Sequence, residues 1–316
     1  MRRPRSLLVG PCVAALGACA AEGGPDGGQA NLPDRGISGW TRAPNEPPPS
    51  TDHWAASVAD AELGGPSAVV VGDRVLLYAH RTTADGAELV RLEGDADGLG
   101  FGAPVALELD GTDPSVFVDG ATTWLAWVAG DDIALARSDD GVTFEPLAPS
   151  GIAPGRGNPS VIVADGRVHL YLSDGTRVVH SEAGDDLAFG AETAVLEPGT
   201  DCVDTQGEPE PCWDNGAILD AEVRLATTPT GRALFRMFYA ARAAGRSDLG
   251  FAASYDGLTF SRYPYNPIYV DTFDERSPSA ILSDGVYYLF WGETRAATDR
   301  GIARAFHVPS APADRW

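Results

Sequence analysis

The sequence contains no lysine. Its 23 basic residues are all arginine, set against 45 Asp and Glu, for a formal net charge of −22. Without lysine, Schiff-base chemistry is excluded. The negative balance argues against a nucleic-acid partner, whose phosphates call for a basic surface. Cysteine is sparse, at four residues. No CxxC pair or Cys/His set has zinc spacing, so no structural zinc site is expected. No cofactor is expected either, the acidic insertion from Gly199 to Asn215 being the one place where Ca²⁺ stays open. The histidines, His53, His80, His169, His180 and His307, show no ligand spacing and read as structural. Beyond the N-terminus no run reaches the roughly 20 apolar residues that span a bilayer. No amphipathic-helix pattern is present either, and what remains is a grammar of short strands and turns.

Arg2, Arg3 and Arg5 precede a short apolar stretch, Ser6 to Leu16, that leads through small residues to Cys19. This reads as a secretory signal peptide over residues 1–18. Leu16-Gly17-Ala18-Cys19 resembles the bacterial lipobox. The resemblance implies that Cys19 is lipidated and becomes the first mature residue. The chain would then be an exported lipoprotein, touching a membrane only through its anchor and facing the periplasm or the cell surface. The other reading is an ordinary signal peptide cut at Ala18 or Ala20. Residues 19–50, rich in Gly, Pro, Asn and Ala, lack the apolar content needed to offset ordering entropy and read as a flexible linker; the part around Trp40 could dock on the domain. Residues 51–316 form the folded domain. Cys12 falls in the signal and Cys19 goes to lipid. That leaves Cys202 and Cys212, able to close a small disulfide loop in an oxidising compartment.

Five segments of the domain share one pattern: Gly65-Pro66-Ser67, Asp113-Pro114-Ser115, Asn158-Pro159-Ser160, Asp220-Ala221-Glu222 and Ser277-Pro278-Ser279, each opening an apolar strand. A Gly- or Asp-bearing turn follows each, then a second strand, the signature of a hairpin. A third strand runs into Ser138-Asp139-Asp140-Gly141-Val142-Thr143-Phe144 and again into Ser254-Tyr255-Asp256-Gly257-Leu258-Thr259-Phe260. Strand starts recur every 45–62 residues, the size of a four-stranded propeller blade. The expectation is an all-β, five-bladed β-propeller of four-stranded blades. The last blade runs out of chain, so a strand from within residues 37–57 should complete it and close the ring, which removes exposed sheet edges.

The five blades, the Asp-Pro strand opening and the Ser-x-Asp-Gly-x-x-Phe hairpin resemble the five-bladed glycosidase superfamily of arabinanases, β-xylosidases, invertases and mannoside phosphorylases (glycoside hydrolase families 43, 32 and 130). The best stretch runs from Phe235-Arg236-Met237-Phe238-Tyr239 through Ser254–Phe260 to Asn266-Pro267-Ile268. The resemblance implies that carboxylates at the starts of the inner strands line a central funnel and act as the acid and base of inverting hydrolysis. Carried over, it places Gly65 where the base belongs. It also gives Asp113, with Glu222 or Asp220, as the candidate catalytic pair, and Asn158 and Ser277 as ligand-binding positions. Asp113 can equally serve only to cap a turn.

The insertion from Gly199 to Asn215 carries Asp201, Asp204, Glu208, Glu210 and Asp214. It reads as a disulfide-clamped flap over the funnel mouth, either an oxygen-rich Ca²⁺ site or an ordinary acidic loop. Trp213 either stacks on a sugar or packs under the loop. Trp124, Trp127, Tyr287, Tyr288 and Trp291 are expected between blades. Glu293 and Arg295, just after the strand that ends at Trp291, are placed near a loop, either contacting ligand or simply at the surface.

Three functions follow. The first is an envelope-anchored lipoprotein, a monomer, that binds or hydrolyses extracellular glycans. The second is a non-catalytic propeller acting as an envelope scaffold or protein-interaction module. The third, a sialidase-like enzyme, is weakened because the Ser138–Phe144 turn is one residue short of an Asp box and no arginine triad can be placed.

Overall fold

The computed structural model describes residues 41–42, 63–95, 100–200, 202–203, 209–228, 231–243, 245–263, 266–269, 274–283, 286–296 and 299–307. The signal sequence, Cys19 and Trp40 lie outside the described residues.

The chain folds as a five-bladed propeller. Blade 1 comprises β2 (Leu63–Val71), β3 (Arg74–Thr83), β4 (Gly86–Asp95) and β5 (Val105–Asp110). Blade 2 comprises β6 (Thr112–Asp119), β7 (Thr122–Ala129), β8 (Asp132–Ser138) and β9 (Glu145–Leu147). Blade 3 comprises β10 (Gly157–Ala164), β11 (Arg167–Ser173), β12 (Val178–Ala183) and β13 (Thr193–Leu196). A small ribbon, β14 (Cys202–Val203) with β15 (Pro209–Glu210), leads into blade 4: β16 (Ala217–Thr227), β17 (Ala233–Ala243), β18 (Arg246–Ser254) and β19 (Ser261–Arg262). Blade 5 has β20 (Asp274–Ser283), β21 (Val286–Ala296) and β22 (Asp299–His307). Its fourth strand is β1 (Thr41–Arg42), paired antiparallel with β22. The closing strand thus comes from residues 37–57, and the ring draws on chain upstream of residue 51.

The X-Pro-Ser pattern has a physical reading. In every blade the pairing of the inner strand with its neighbour shifts register at this point, between Gly64 and Ser67, Thr112 and Ser115, Gly157 and Ser160, Ile218 and Asp220, and Arg276 and Ser279. Proline has no N–H to give the ladder and is tolerated at such a bulge. The residue before it turns left-handed: φ is +56° at Gly65, +51° at Asp113, +45° at Asn158 and +49° at Ser277. Gly, Asp and Asn are the residues that adopt this conformation most readily. The bulge takes that residue off the sheet ladder and presents it at the mouth of the central funnel.

The residue after the proline ties neighbouring blades together. The Ser67 hydroxyl accepts Val116 N–H at 3.0 Å, Ser115 accepts Val161 N–H at 3.0 Å, and Ser160 accepts Val223 N–H at 2.8 Å. Glu222 Oε2 accepts Ala280 N–H at 3.1 Å, and Ser279 accepts Ala68 N–H at 2.9 Å, which returns to blade 1. Five hydrogen bonds thus run round the axis in a closed circle. Each satisfies a buried backbone donor that would otherwise cost about 1–3 kcal/mol.

A second device locks blades in pairs. In blade 2, Asp140 Oδ1 accepts the N–H groups of Val142 and Thr143 at 2.8 and 2.7 Å, while Ser138 Oγ accepts Gly141 N–H at 2.9 Å. The tight turn so formed offers Gly141 C=O to the Tyr78 hydroxyl of blade 1 at 2.8 Å, and Phe144 packs edge-on against the Tyr78 ring. Blade 4 repeats this on blade 3: Asp256 holds Leu258 and Thr259, Tyr171 donates to Gly257 C=O at 3.1 Å, and Phe260 meets the Tyr171 ring edge-on.

Apolar clusters fill the spaces between blades, with Tyr78, Tyr171, Tyr239, Phe251, Phe290 and Trp291 fully buried. Trp127, Tyr287 and Tyr288 are buried as expected of inter-blade aromatics. Glu293 departs from expectation. It lies inside β21, 2% exposed and opposite the equally buried Glu275, because that strand continues past Trp291. The side chain of Arg295 lies outside the described residues.

Candidate functional site

The starts of the five inner strands converge on one pocket. Gly65, Asp113, Asn158, Asp220 and Ser277 line it together with the prolines that follow four of them, and Glu222 reaches its floor. It is a shallow mouth and not an enclosed cavity: its empty space, open mouth included, is about 280 Å³, of which only about 20 Å³ can hold the centre of a water-sized molecule. The funnel residues picked out in the sequence are therefore brought together, but their circumstances differ sharply.

Asp113 is the one with a free face. Its side chain is 27% exposed. Oδ2 accepts the Thr112 hydroxyl at 3.0 Å, and Oδ1 lies 3.8 Å from His80 Nδ1. Burial pushes its carboxyl above the usual range, with the His80 and Arg276 side chains pulling the other way and the charge of Asp220 adding to the rise.

Asp220 is spoken for. Arg276 engages both of its oxygens, Nε at 2.5 Å and Nη2 at 2.9 Å, and Ser277 N–H donates to Oδ2 at 2.9 Å. Such a bidentate pair is among the strong charge-assisted contacts. With its side chain 1% exposed, Asp220 forms part of the pocket wall.

Glu222 departs furthest from the proton-transfer part expected of it. Oε1 accepts the Ser67 hydroxyl at 2.7 Å and Arg224 Nη2 at 2.5 Å, and Oε2 accepts Ala280 N–H. Burial raises its carboxyl, opposed by the Arg224 charge. Oε2 belongs to the circle of blade-to-blade hydrogen bonds, so Glu222 acts there as a substitute for the serine that the other four blades carry, while Oε1 takes Ser67 and Arg224 across the axis. Arg224 completes the plug with Nη1 on Val116 C=O at 2.8 Å and Nη2 on Ala68 C=O at 2.6 Å.

Asn158 lines the pocket and donates from Nδ2 to Leu219 C=O at 3.3 Å. Gly65 is more than a missing base. A Cβ there would sit 2.8 Å from Asp113 Oδ1 and 3.0 Å from His80 Nδ1, so Asp113 and His80 occupy the space a first-blade carboxylate would need.

Two contributors escaped the sequence reading. His80 accepts Asp113 N–H at 3.2 Å and holds the aspartate's backbone. Arg276 neutralises Asp220. Gly64 lies opposite His80 in register and gives its ring room, a relation that only the paired strands reveal.

Trp213 is not in the funnel. Its ring packs 5.6 Å from that of Tyr239 and lies over Gly250, the second of the two roles open to it. The disulfide Cys202–Cys212 is formed. The described part of the loop sits beside the outer strands of blades 3 and 4: Gly199 abuts Cys212, and Asp214 pairs with Arg262 at 2.7 Å. The flap expected over the funnel mouth therefore packs, where it is described, against the outer edge of the ring. Asp201, Asp204 and Glu208 lie outside the described residues, as does the side chain of Glu210, and Asp214 is engaged by Arg262 and the Tyr239 hydroxyl.

No protein-family model matches the chain, and no curated protein matches it. Solved structures do. The catalytic domain of a family 62 α-L-arabinofuranosidase from Coprinopsis cinerea superposes with a TM-score of 0.64 at 12% identity, over 86% of this chain and 98% of that one. An α-L-arabinofuranosidase from Podospora anserina in complex with cellotriose gives 0.63 at 12% identity, over 88% and 100%. A thermostable family 43 glycoside hydrolase gives 0.54 at 17% identity, over 79% and 90%. The chain carries a glycosidase-like five-bladed propeller. At these identities the likeness is one of fold, and what the funnel does rests on its own residues.

Proposed function

We propose that the funnel mouth is a glycan-binding site, carried by a lipoprotein anchored to the cell envelope through Cys19, and that it binds without hydrolysing. The observation behind this is the unequal state of the funnel carboxylates. Hydrolysis by inversion needs an acid and a base that both address the substrate. Here Asp113 has a free face, Asp220 is neutralised by Arg276, and Glu222 is bound into the axial plug. One carboxyl with Asn158 and Ser277 around it suits hydrogen bonding to sugar hydroxyls. The complexes of similar folds with cellotriose and xylotriose support an oligosaccharide as the ligand class. Anchoring rests on the lipobox-like Leu16–Cys19 and the linker behind it.

A second reading, hydrolysis with Asp113 as the general acid, draws support from the upward push on its carboxyl. The experiment that separates them is a panel of cello-, xylo-, arabino- and manno-oligosaccharides, followed both by calorimetry and by release of reducing ends. Binding without release is expected. Release that disappears in Asp113→Asn would instead establish the hydrolytic reading.

A further inference from the structure

Outside the set of funnel residues, β11 and β12 bring three potential ligands onto one face of blade 3. The antiparallel register sets His169 opposite Glu182 and Tyr171 opposite His180. Strand side chains alternate, so His169 and Tyr171 share a face with His180 and Glu182. His169 Nδ1 lies 3.0 Å from His180 Nε2 and 3.6 Å from Glu182 Oε2. All three donor atoms fall within 4.8 Å of one another, and among the described residues this is the one set of three such groups.

The His169–His180 contact is a direct hydrogen bond, and opening it by a few tenths of an ångström, with the third pair within 4.8 Å, would admit a tetrahedral ion. Bonds of about 2.0–2.2 Å to nitrogen and oxygen put neighbouring ligands about 3.3–3.5 Å apart, between the two separations measured. Two imidazole nitrogens and one carboxylate oxygen favour zinc and its first-row neighbours over Ca²⁺ or Mg²⁺, which prefer all-oxygen shells.

The surroundings hold the ligands in place. The two imidazoles stack at 5.3 Å, with Tyr171 against His180 and Phe235 of blade 4 against His169. His169 also hydrogen-bonds to the Ala164 backbone. Arg167 Nε sits 3.0 Å from Glu182 Oε1, which turns Oε2 toward His169. Outer partners of this kind orient metal ligands. The glutamate is 42% exposed while His169 is 13% exposed, so the cluster opens to solvent on the glutamate side and leaves room for a water as fourth ligand.

We propose that His169, His180 and Glu182 form a binding site for a divalent first-row transition metal, with Zn²⁺ as the reference ion, separate from the funnel and sharing no residue with it. The full chain, purified without a histidine tag and stripped with chelator, should take up one Zn²⁺ per molecule in a calorimetric titration. His169→Gln, which keeps a hydrogen-bonding group at a largely buried position, and Glu182→Gln, at a half-exposed one, should each weaken binding at least about tenfold, and Glu182→Gln should leave the metal-free melting curve in place. Absence of Zn²⁺ uptake at micromolar concentrations would overturn the proposal. So would a stoichiometry and affinity unchanged in both variants, which would place the ion elsewhere.

Discussion

The Ser67 hydroxyl donates to Glu222 Oε1 at 2.7 Å, joining blade 1 to blade 4 across the axis of the ring. This contact shows why blade 4 differs from the others. Four blades place serine at this position and an apolar residue two places on: Ser67 with Val69, Ser115 with Phe117, Ser160 with Ile162, Ser279 with Ile281. Blade 4 has Glu222 with Arg224, and the pair fills the axis with an ion pair while keeping the circle of backbone hydrogen bonds intact.

Removing half of that pair should be costly and removing both halves should not. Glu222→Ser keeps an acceptor for Ala280 N–H but leaves Arg224 as a largely buried cation, and should lose about 3–5 kcal/mol of stability. Combining it with Arg224→Ile restores the pattern of the other blades and should return the protein to within about 1 kcal/mol of the parent. Urea unfolding of the three proteins checks this. A double variant that keeps its glycan affinity would also confirm that Glu222 has no part in the funnel's chemistry.

The turn latch gives a second expectation. Tyr78→Phe removes the donor to Gly141 C=O and should cost about 1–2 kcal/mol. Gly141→Ala should cost more, because φ is +67° there and the new Cβ would stand 2.8 Å from the Tyr78 hydroxyl. Thermal melts of both variants, and of the equivalent Tyr171→Phe and Gly257→Ala in blades 3 and 4, should show the same order.

Much of this was legible in the sequence, because X-Pro-Ser and Ser-x-Asp-Gly-x-x-Phe are local. Proline marks the bulge in four blades, Gly, Asp, Asn or Ser supplies the left-handed residue before it, and the Asp carboxylate ties its own turn. Blade count, closing strand and the set of funnel-facing residues follow from those. What was not legible depends on register between strands distant in sequence. Arg276 neutralises Asp220 from 56 residues away. Glu222 reads as a strand-start acid until its alignment with Ser67, Ser115, Ser160 and Ser279 shows it to be the serine's replacement. His169 and His180 sit 11 residues apart and meet only once the hairpin is paired.

Acid should act on two sets of carboxyls in opposite senses. Hydrogen bonds from Thr143, Val142 and Ser138 hold Asp140 below the usual range. Burial pushes on Asp256, but hydrogen bonds from Ser254, Thr259 and Leu258 outweigh it and lower that carboxyl too. Groups lowered in the fold contribute stability that is present above about pH 4 and is lost as pH falls below it. Asp140→Asn and Asp256→Asn should therefore flatten the acid side of a plot of melting temperature against pH. Asp113, raised by burial, behaves oppositely: its ionisation opposes folding as pH climbs above the usual carboxylate range. Asp113→Asn should stabilise the protein at pH 7 more than at pH 3.

The most direct test of the central claim is the oligosaccharide affinity of variants that empty the funnel without disturbing its bulges. Glycine keeps the left-handed backbone that Asp113 and Asn158 adopt, as Gly65 already does in blade 1. Asp113→Gly and Asn158→Gly should each lower the affinity for the best-bound oligosaccharide at least about tenfold, one lost hydrogen bond to a charged or polar partner, while the propeller still melts cooperatively. Affinity unchanged in both variants would contradict the claim and would move glycan recognition, if any remains, away from the funnel.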